Sequence, residues 1–236
     1  MKKNKVLIML VLVLALVLGA CSGSKELTIE DVQKNVGKYY EDAKVIQTEM
    51  NTQVGPMNIA MKMIVDKESK ISKMMITGSD LETYMDMSSN PVVQYTKFGG
   101  EWSKLKVDSL GLSETKQMDQ MFDFSKMLVV DEKLPKEFEN AKDEYIIKVK
   151  VTKDNIEDLA KTEEEKEQVK QAMSLLAMSD IPIVIKIDKK DFHIKEITIE
   201  SNMKEASFKM VMKDLIKVNE KLEIPKEALN AKEMVH

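Results

Sequence analysis

Arginine is absent from this 236-residue chain, and cysteine, tryptophan and histidine are scarce, with one, one and two copies. Without arginine or a run of clustered lysines the chain offers no basic stripe to a phosphate backbone, so a nucleic-acid partner is not expected. His193 and His236 are not at metal-ligand spacing, and no nucleophile-elbow or phosphate-loop motif occurs. The sequence therefore predicts no enzyme, no metal site and no cofactor.

The single cysteine, Cys21, follows the one long apolar run. Three lysines in the first five residues precede thirteen apolar residues, Val6–Leu18, and two small residues come before the cysteine. This order of charge, apolar run and small residues is that of a secretory signal. Thirteen residues are too few for a membrane-spanning helix, which needs about 20. We therefore predict a signal peptide over residues 1–20, cleaved between Ala20 and Cys21, and a tether over residues 21–27.

The motif Leu18-Gly19-Ala20-Cys21 predicts that the Cys21 thiol carries a diacylglycerol group. The alternative is a secreted protein that is cut nearby and left with an unpaired thiol. Two or three acyl chains, such as palmitate, would hold the protein at the outer face of the cell membrane. Cys21 is then the lipid attachment site, and the membrane is a partner through it.

Methionine is unusually common, with 19 copies, and many lie on predicted strands. The flexible thioether fills irregular apolar space and also lines surfaces that accept varied ligands. A composition bias is the alternative, and it would equally explain lysine without arginine. Removal of residues 1–20 would leave 33 lysines against 40 acidic residues, a net charge near −7.

Hydrophobic periodicity predicts a first helix over Ile29–Tyr40 and then strands. From Lys44 the apolar residues recur at every second position, which is typical of strands with one buried face. Gly99-Gly100 joins two strands, Val92–Phe98 and Glu101–Val107, in a tight hairpin.

The second half alternates helical and strand patterns. Further helices are predicted over Ser113–Leu128 and over Asn155–Leu176, with a connection over Lys133–Asp143 between Leu128 and the next strand. Strands return from about Ile183 to Met212, and Lys226–His236 is predicted as a short helix or tail.

Two stretches also match at an offset of 122 residues. Met61, Met63, Val65, Asp66 and Lys67 fall on Ile183, Ile185, Ile187, Asp188 and Lys189. Duplication of one hairpin explains this match, and so does chance similarity between two amphipathic hairpins.

These elements predict a single α+β domain over residues 28–236. Its fold would be a curved antiparallel sheet, an open half-barrel, with helices packed on the concave face. The two-residue period assigns a set of apolar side chains to that face as candidate ligand contacts. They are Met61, Met63, Met75, Met85, Met87, Ile185, Phe208 and Met210.

The chain resembles the LolA/LppX-like lipoprotein superfamily, in particular its uncharacterised Firmicute branch. The resemblance lies in the motif Leu18–Cys21, the strand pair Tyr95–Lys104, the closing segment Ile224–Leu229 and the order of elements. It implies an unclosed barrel that holds acyl chains or another apolar ligand. We therefore expect a lipid-anchored protein that binds or carries a lipid-like ligand. The alternative is an interaction or sensor lipoprotein with a solid core that contacts a membrane protein or the cell wall.

Overall fold

One open sheet of twelve strands dominates the structure, a computed structural model that describes residues 26–107, 134, 136–152, 180–202 and 207–234. Within these residues two helices accompany it, α1 (Ile29–Glu41) and α2 (Lys226–Leu229). The strands are β1 (Val45–Val54), β2 (Met57–Asp66), β3 (Ile71–Ile76), β4 (Glu82–Asp86), β5 (Val92–Phe98), β6 (Glu101–Val107), β7 (Lys136–Asn140), β8 (Glu144–Val151), β9 (Ile181–Asp188), β10 (Ile194–Asn202), β11 (Ser207–Val218) and β12 (Lys232–Glu233).

The strand order across the sheet is β12-β6-β5-β4-β3-β2-β1-β11-β10-β9-β8-β7. All neighbours are antiparallel except β12 and β6, which are parallel. The edge strands β12 and β7 do not pair with each other, so the sheet does not close. At its centre β1 pairs with β11, and this pairing joins the two halves of the chain.

The sheet has an apolar face and a polar face, because side chains alternate along each strand and paired residues share a face. The apolar face carries Ile46, Met61 and Ile197, and the polar face carries Glu49, Lys62 and Glu196. The alternation predicted from the sequence for β2, β4, β8 and β9 is confirmed by this pairing.

Helix α1 closes one end of the apolar face. Thr28 and Asp31 form a capping box at its start, which satisfies two backbone N–H groups that the first turn leaves unpaired. Val32, Val36 and Tyr40 follow at helical spacing and are all buried in the main core. The predicted first helix is therefore confirmed.

The tight hairpin at Gly99-Gly100 is also confirmed. Phe98 pairs with Glu101, so the two glycines are the whole loop. Their φ angles are 61° and 83°, a region that residues with a Cβ atom rarely adopt.

The C-terminal segment, residues 219–234, crosses the polar face, and the short helix predicted from Lys226 is present in it as α2. Leu222 is buried against Val45 and Ile64, and Ala228 is buried against Tyr84 and Tyr95. Strand β12 then pairs with β6 and extends the sheet by one strand.

The predicted α+β class, with helices packed on the concave face, is wrong for this structure. Of the described residues, 59% lie in strands and 11% in helices, so the fold is mostly β. Strand structure extends further than predicted, since the expected connection over Lys133–Asp143 contains strand β7. The helices predicted over Ser113–Leu128 and Asn155–Leu176, the signal peptide and Cys21 lie outside the described residues.

The match at an offset of 122 residues corresponds to two similar turns. Asp66 accepts a hydrogen bond from the backbone N–H of Glu68, and Asp188 accepts one from that of Lys190. Four residues after each aspartate the backbone has a positive φ, 56° at Lys70 and 66° at Phe192. The two hairpins therefore share a turn geometry, which duplication and chance similarity both accommodate.

Candidate functional site

Seven of the eight predicted ligand contacts lie on the apolar face. Met87 and Ile185 belong to the buried core, and Met63 and Met85 pack against it. Met61, Met210 and Phe208 lie further from α1 and are half-buried.

Met75 is the exception, because the structure places it on the polar face. It pairs with Lys62 and Glu82, and it packs beside Ile64 and Leu222. Its neighbour Met74 occupies the apolar face. A run of two methionines is apolar in either register, so alternation could not decide between them.

The methionines form a continuous surface across the middle of the apolar face. One row of directly paired residues runs across six strands and contains three methionines. The row is Ile185, Ile197, Met212, Met50, Met61 and Ile76. We call the half-buried part of this face, Met50, Met61, Met63, Met74, Met210 and Met212, the methionine surface.

Exposure of the apolar face rises steadily away from α1. Along β2 the side chains on this face change from 6% exposed at Val65 to half-buried at Met61, then to 41% at Ile59 and 62% at Met57. Phe98, on the same face at the Gly99-Gly100 hairpin, is 69% exposed. The apolar face is thus closed by α1 at one end and accessible at the other.

The polar face holds a groove that sequence reasoning missed. It has a volume of about 600 Å³ and lies across β2, β1, β11 and β10. Its floor is the paired row Ala60, Asn51, Val211 and Thr198. One wall is the row Lys62, Glu49, Lys213 and Glu196, and the other contains Asn58, Gln53 and Lys209. We call this feature the polar groove.

Charges of opposite sign alternate along the first wall of the polar groove. Lys186 of β9 continues the row and pairs with Glu196 at 2.8 Å. Its ammonium group is the main reason that the pKa of Glu196 lies below its usual value; burial opposes this shift, and Lys213 adds to it. Opposite charges on neighbouring strands stabilise a sheet face, so part of this row has a structural role.

One turn holds the nearest approach to a metal-ligand set in the described part of the chain. Side-chain atoms of Asp188, Asp191 and His193 lie within 4.8 Å of one another. His193 Nδ1 and Asp191 Oδ1 are 2.6 Å apart, so these two side chains already bond each other across the turn. The hydrogen bond lowers the pKa of the Asp191 carboxyl, although burial opposes this.

The fold and its two faces define a mostly β, single-sheet protein with an apolar surface and a separate polar groove. The chain belongs to the family of unknown function DUF6612, whose family model matches residues 23–233. No curated protein matches it. It is similar to a crystal structure of a DUF1329 family protein from Desulfovibrio piger at 9% identity. That similarity covers 78% of this chain and 90% of the other, with a TM-score of 0.29. This likeness is too weak to carry over a fold or a function.

The described helices include none that is both long and apolar enough to cross a bilayer.

The polar groove could not have been found from the sequence by periodicity alone. Its residues come from positions 49–77 and 196–213, and only the β1–β11 pairing brings these together.

Proposed function

We propose that this protein is a non-catalytic lipoprotein, anchored outside the cytoplasm through Cys21, that binds a lipid-like ligand on the methionine surface. The observation that carries the proposal is the gradient of exposure along the apolar face, from a core closed by α1 to an accessible end. An apolar surface of this kind on a monomer is often a binding site.

The chemistry of the surface supports an apolar ligand of variable shape. Thioether side chains adjust their conformation easily and make favourable contacts with many apolar groups. Each methylene group of an acyl chain that leaves water contributes about 0.8 kcal/mol. The LolA/LppX-like resemblance implies an unclosed barrel, and an open sheet with one apolar face supports that part of it.

Two measurements test the proposal. Protein purified without detergent is extracted with organic solvent and analysed by mass spectrometry, and stripped protein is titrated with a dansyl-labelled fatty acid. We expect a co-purified lipid and saturable binding. Met61→Gln and Met210→Gln should each weaken binding about tenfold, since an amide buried against an acyl chain costs roughly 1–3 kcal/mol.

Met75→Gln is the matched control, because Met75 lies on the opposite face of the neighbouring strand. It should leave fatty-acid affinity unchanged. Absence of both co-purified lipid and probe binding in folded wild-type protein would reject the proposal, as would equal losses in all three variants.

The second candidate is an interaction lipoprotein that contacts a membrane protein or the cell wall. The exposed side chains of Met57 and Phe98, both beside hairpin loops, favour it. If the wild-type protein binds no apolar ligand, Met57→Ser with Phe98→Ser should abolish the capture of a specific membrane protein by the anchored form, whereas Met75→Gln should not.

A further inference from the structure

We propose that the polar groove binds an acidic glycan chain, independently of any ligand on the opposite face. The proposal rests on the shape of the groove, its neutral hydrogen-bonding groups and its unpaired charges.

The groove is shaped for an extended ligand that lies across the strands. Neighbouring strands are about 4.8 Å apart, so the floor row across four strands is roughly 14 Å long. A second hollow of about 250 Å³ adjoins the groove at Gln53 and Lys209 and reaches Pro182 of β9. Ala60 and Val211 on the floor have small side chains, and the described lining contains no aromatic side chain. A peptide held by side-chain pockets does not match this floor.

The neutral groups of the groove suit a ligand rich in hydroxyl groups. Asn51, Asn58 and Gln53 each offer a donor and an acceptor from one planar amide, and Thr77 and Thr198 add hydroxyl groups. Within the described residues the side chains of Asn51 and Asn58 form no hydrogen bond with protein. Their amides are therefore available to pairs of sugar hydroxyls.

The charges of the groove favour an acidic ligand. Glu196 is paired with Lys186 at 2.8 Å, and Lys209 is paired with Glu200 at 2.7 Å. Lys62 and Lys213 take part in no ion pair with any described residue, and Glu49 between them is the one unpaired acid of the wall. One positive charge is thus left over in a chain whose formal net charge is −4. A carboxylate on the ligand would be attracted here.

Isothermal titration of the full-length protein with oligogalacturonate, a chain of carboxylated sugars, tests the proposal. Neutral maltooligosaccharide of equal length and polyglutamate are the comparison ligands. We expect oligogalacturonate to bind most tightly. Lys62→Gln with Lys213→Gln should weaken it about tenfold, and Ala60→Phe, which fills the floor, should remove binding.

Lys148→Gln is the control, because Lys148 is an exposed lysine on the same face that does not line the groove. It should bind oligogalacturonate as the wild type does, and so should Met210→Gln, which impairs the proposed apolar site and lies outside the lining of the groove. The proposal is overturned if folded wild-type protein does not bind oligogalacturonate. It is also overturned if polyglutamate or the neutral sugar binds equally well, or if Lys148→Gln loses as much affinity as the double variant.

Discussion

Tyr40 shows how one residue fixes the position of α1 on the sheet. Its side chain is fully buried, and its hydroxyl donates a hydrogen bond to the Leu215 carbonyl oxygen at 2.6 Å. The Tyr40 hydroxyl oxygen in turn accepts a hydrogen bond from the Ile194 backbone N–H at 3.0 Å. Burial raises the pKa of the Tyr40 phenol, so it keeps the proton that it donates. Tyr40 thus satisfies two backbone groups where β10 leaves regular pairing with β9.

Tyr40→Phe should lower the free energy of unfolding by about 1–3 kcal/mol, because the N–H of Ile194 and the carbonyl of Leu215 lose their partner in a buried place. Urea unfolding followed by circular dichroism measures the change. Tyr39→Phe is a matched control on the same helix. The Tyr39 hydroxyl accepts one exposed hydrogen bond, 3.4 Å from the Lys217 nitrogen, and its loss should cost under about 0.5 kcal/mol. Similar losses in the two variants would contradict this account of Tyr40.

At the scale of elements, Asp66 connects the C-terminal segment to β2. Its carboxylate accepts hydrogen bonds from the backbone N–H groups of Glu68 and Ser69 in its own turn and from that of Leu222, 156 residues away in sequence. Burial alone would raise the pKa of Asp66, but these donors outweigh it and the pKa is lowered. The ionised Asp66 side chain therefore stabilises the C-terminal segment where it crosses the polar face.

Asp66→Asn should destabilise the protein by about 1–3 kcal/mol at pH 7, since hydrogen bonds to a charged acceptor are strong. The folded-state pKa lies below the unfolded value of about 3.9. The contribution of the anion is therefore complete above that value and is lost as the pH falls through the folded-state pKa. The stability difference between wild type and variant should be constant above about pH 5 and shrink toward the lowest pH at which both fold.

Asp188→Asn is the control for this prediction. The Asp188 carboxylate starts the equivalent turn but accepts its hydrogen bond from Lys190 within that turn and, among the described residues, holds no distant segment. It should destabilise the protein less at pH 7 than Asp66→Asn does. If the difference in unfolding free energy between wild type and Asp66→Asn does not change with pH, the negative charge of Asp66 is not the source of the stabilisation.

Elements with strong local signals were predictable, and those defined by distant contacts were not. The capped helix α1 and the Gly99-Gly100 hairpin follow from residues within a few positions of one another. Strand β7 has the sequence KEFEN, in which Phe138 is the single apolar residue. Because the other residues are charged or polar, the sequence predicted a loop connection here and not a strand. The C-terminal segment depends on Asp66 and β6, which its own residues do not reveal.

The same distinction applies to the candidate sites. The alternation of apolar and polar residues placed seven of the eight residues on the correct face, because the pattern within a single strand is enough to assign its two faces. It misplaced Met75 because Met74 is equally apolar. The polar groove has no period-two signal that separates it from an ordinary solvated face, and its depth comes from how four strands meet.

At the scale of the whole molecule, the sheet separates two kinds of surface. The methionine surface and the polar groove lie on opposite faces of the same central strands, β1, β2 and β11. Residue 26, where the described chain begins, lies near β7, since the Asn140 side chain donates a hydrogen bond to Glu26 Oε1 at 3.2 Å. The proposed anchor at Cys21 would therefore hold the sheet from one edge.

Cys21→Ser should abolish lipidation and move the protein from the membrane fraction to the soluble fraction or leave it as an unprocessed precursor. Membrane fractionation with metabolic labelling by a radioactive fatty acid detects both effects. Ser22→Ala, one position further on, should be labelled and sedimented as the wild type is. Unchanged labelling and sedimentation of Cys21→Ser would reject the anchor.

The β1–β11 pairing has a consequence for biosynthesis. It joins residues 45–54 to residues 208–218, so a ribosome must add about 160 residues before the partner of β1 exists. At 5–20 residues per second this takes on the order of ten seconds. During that time one edge of β1 and the thioether side chains beside it lack their native neighbour β11, so the sheet can be completed only after most of the chain has been synthesised.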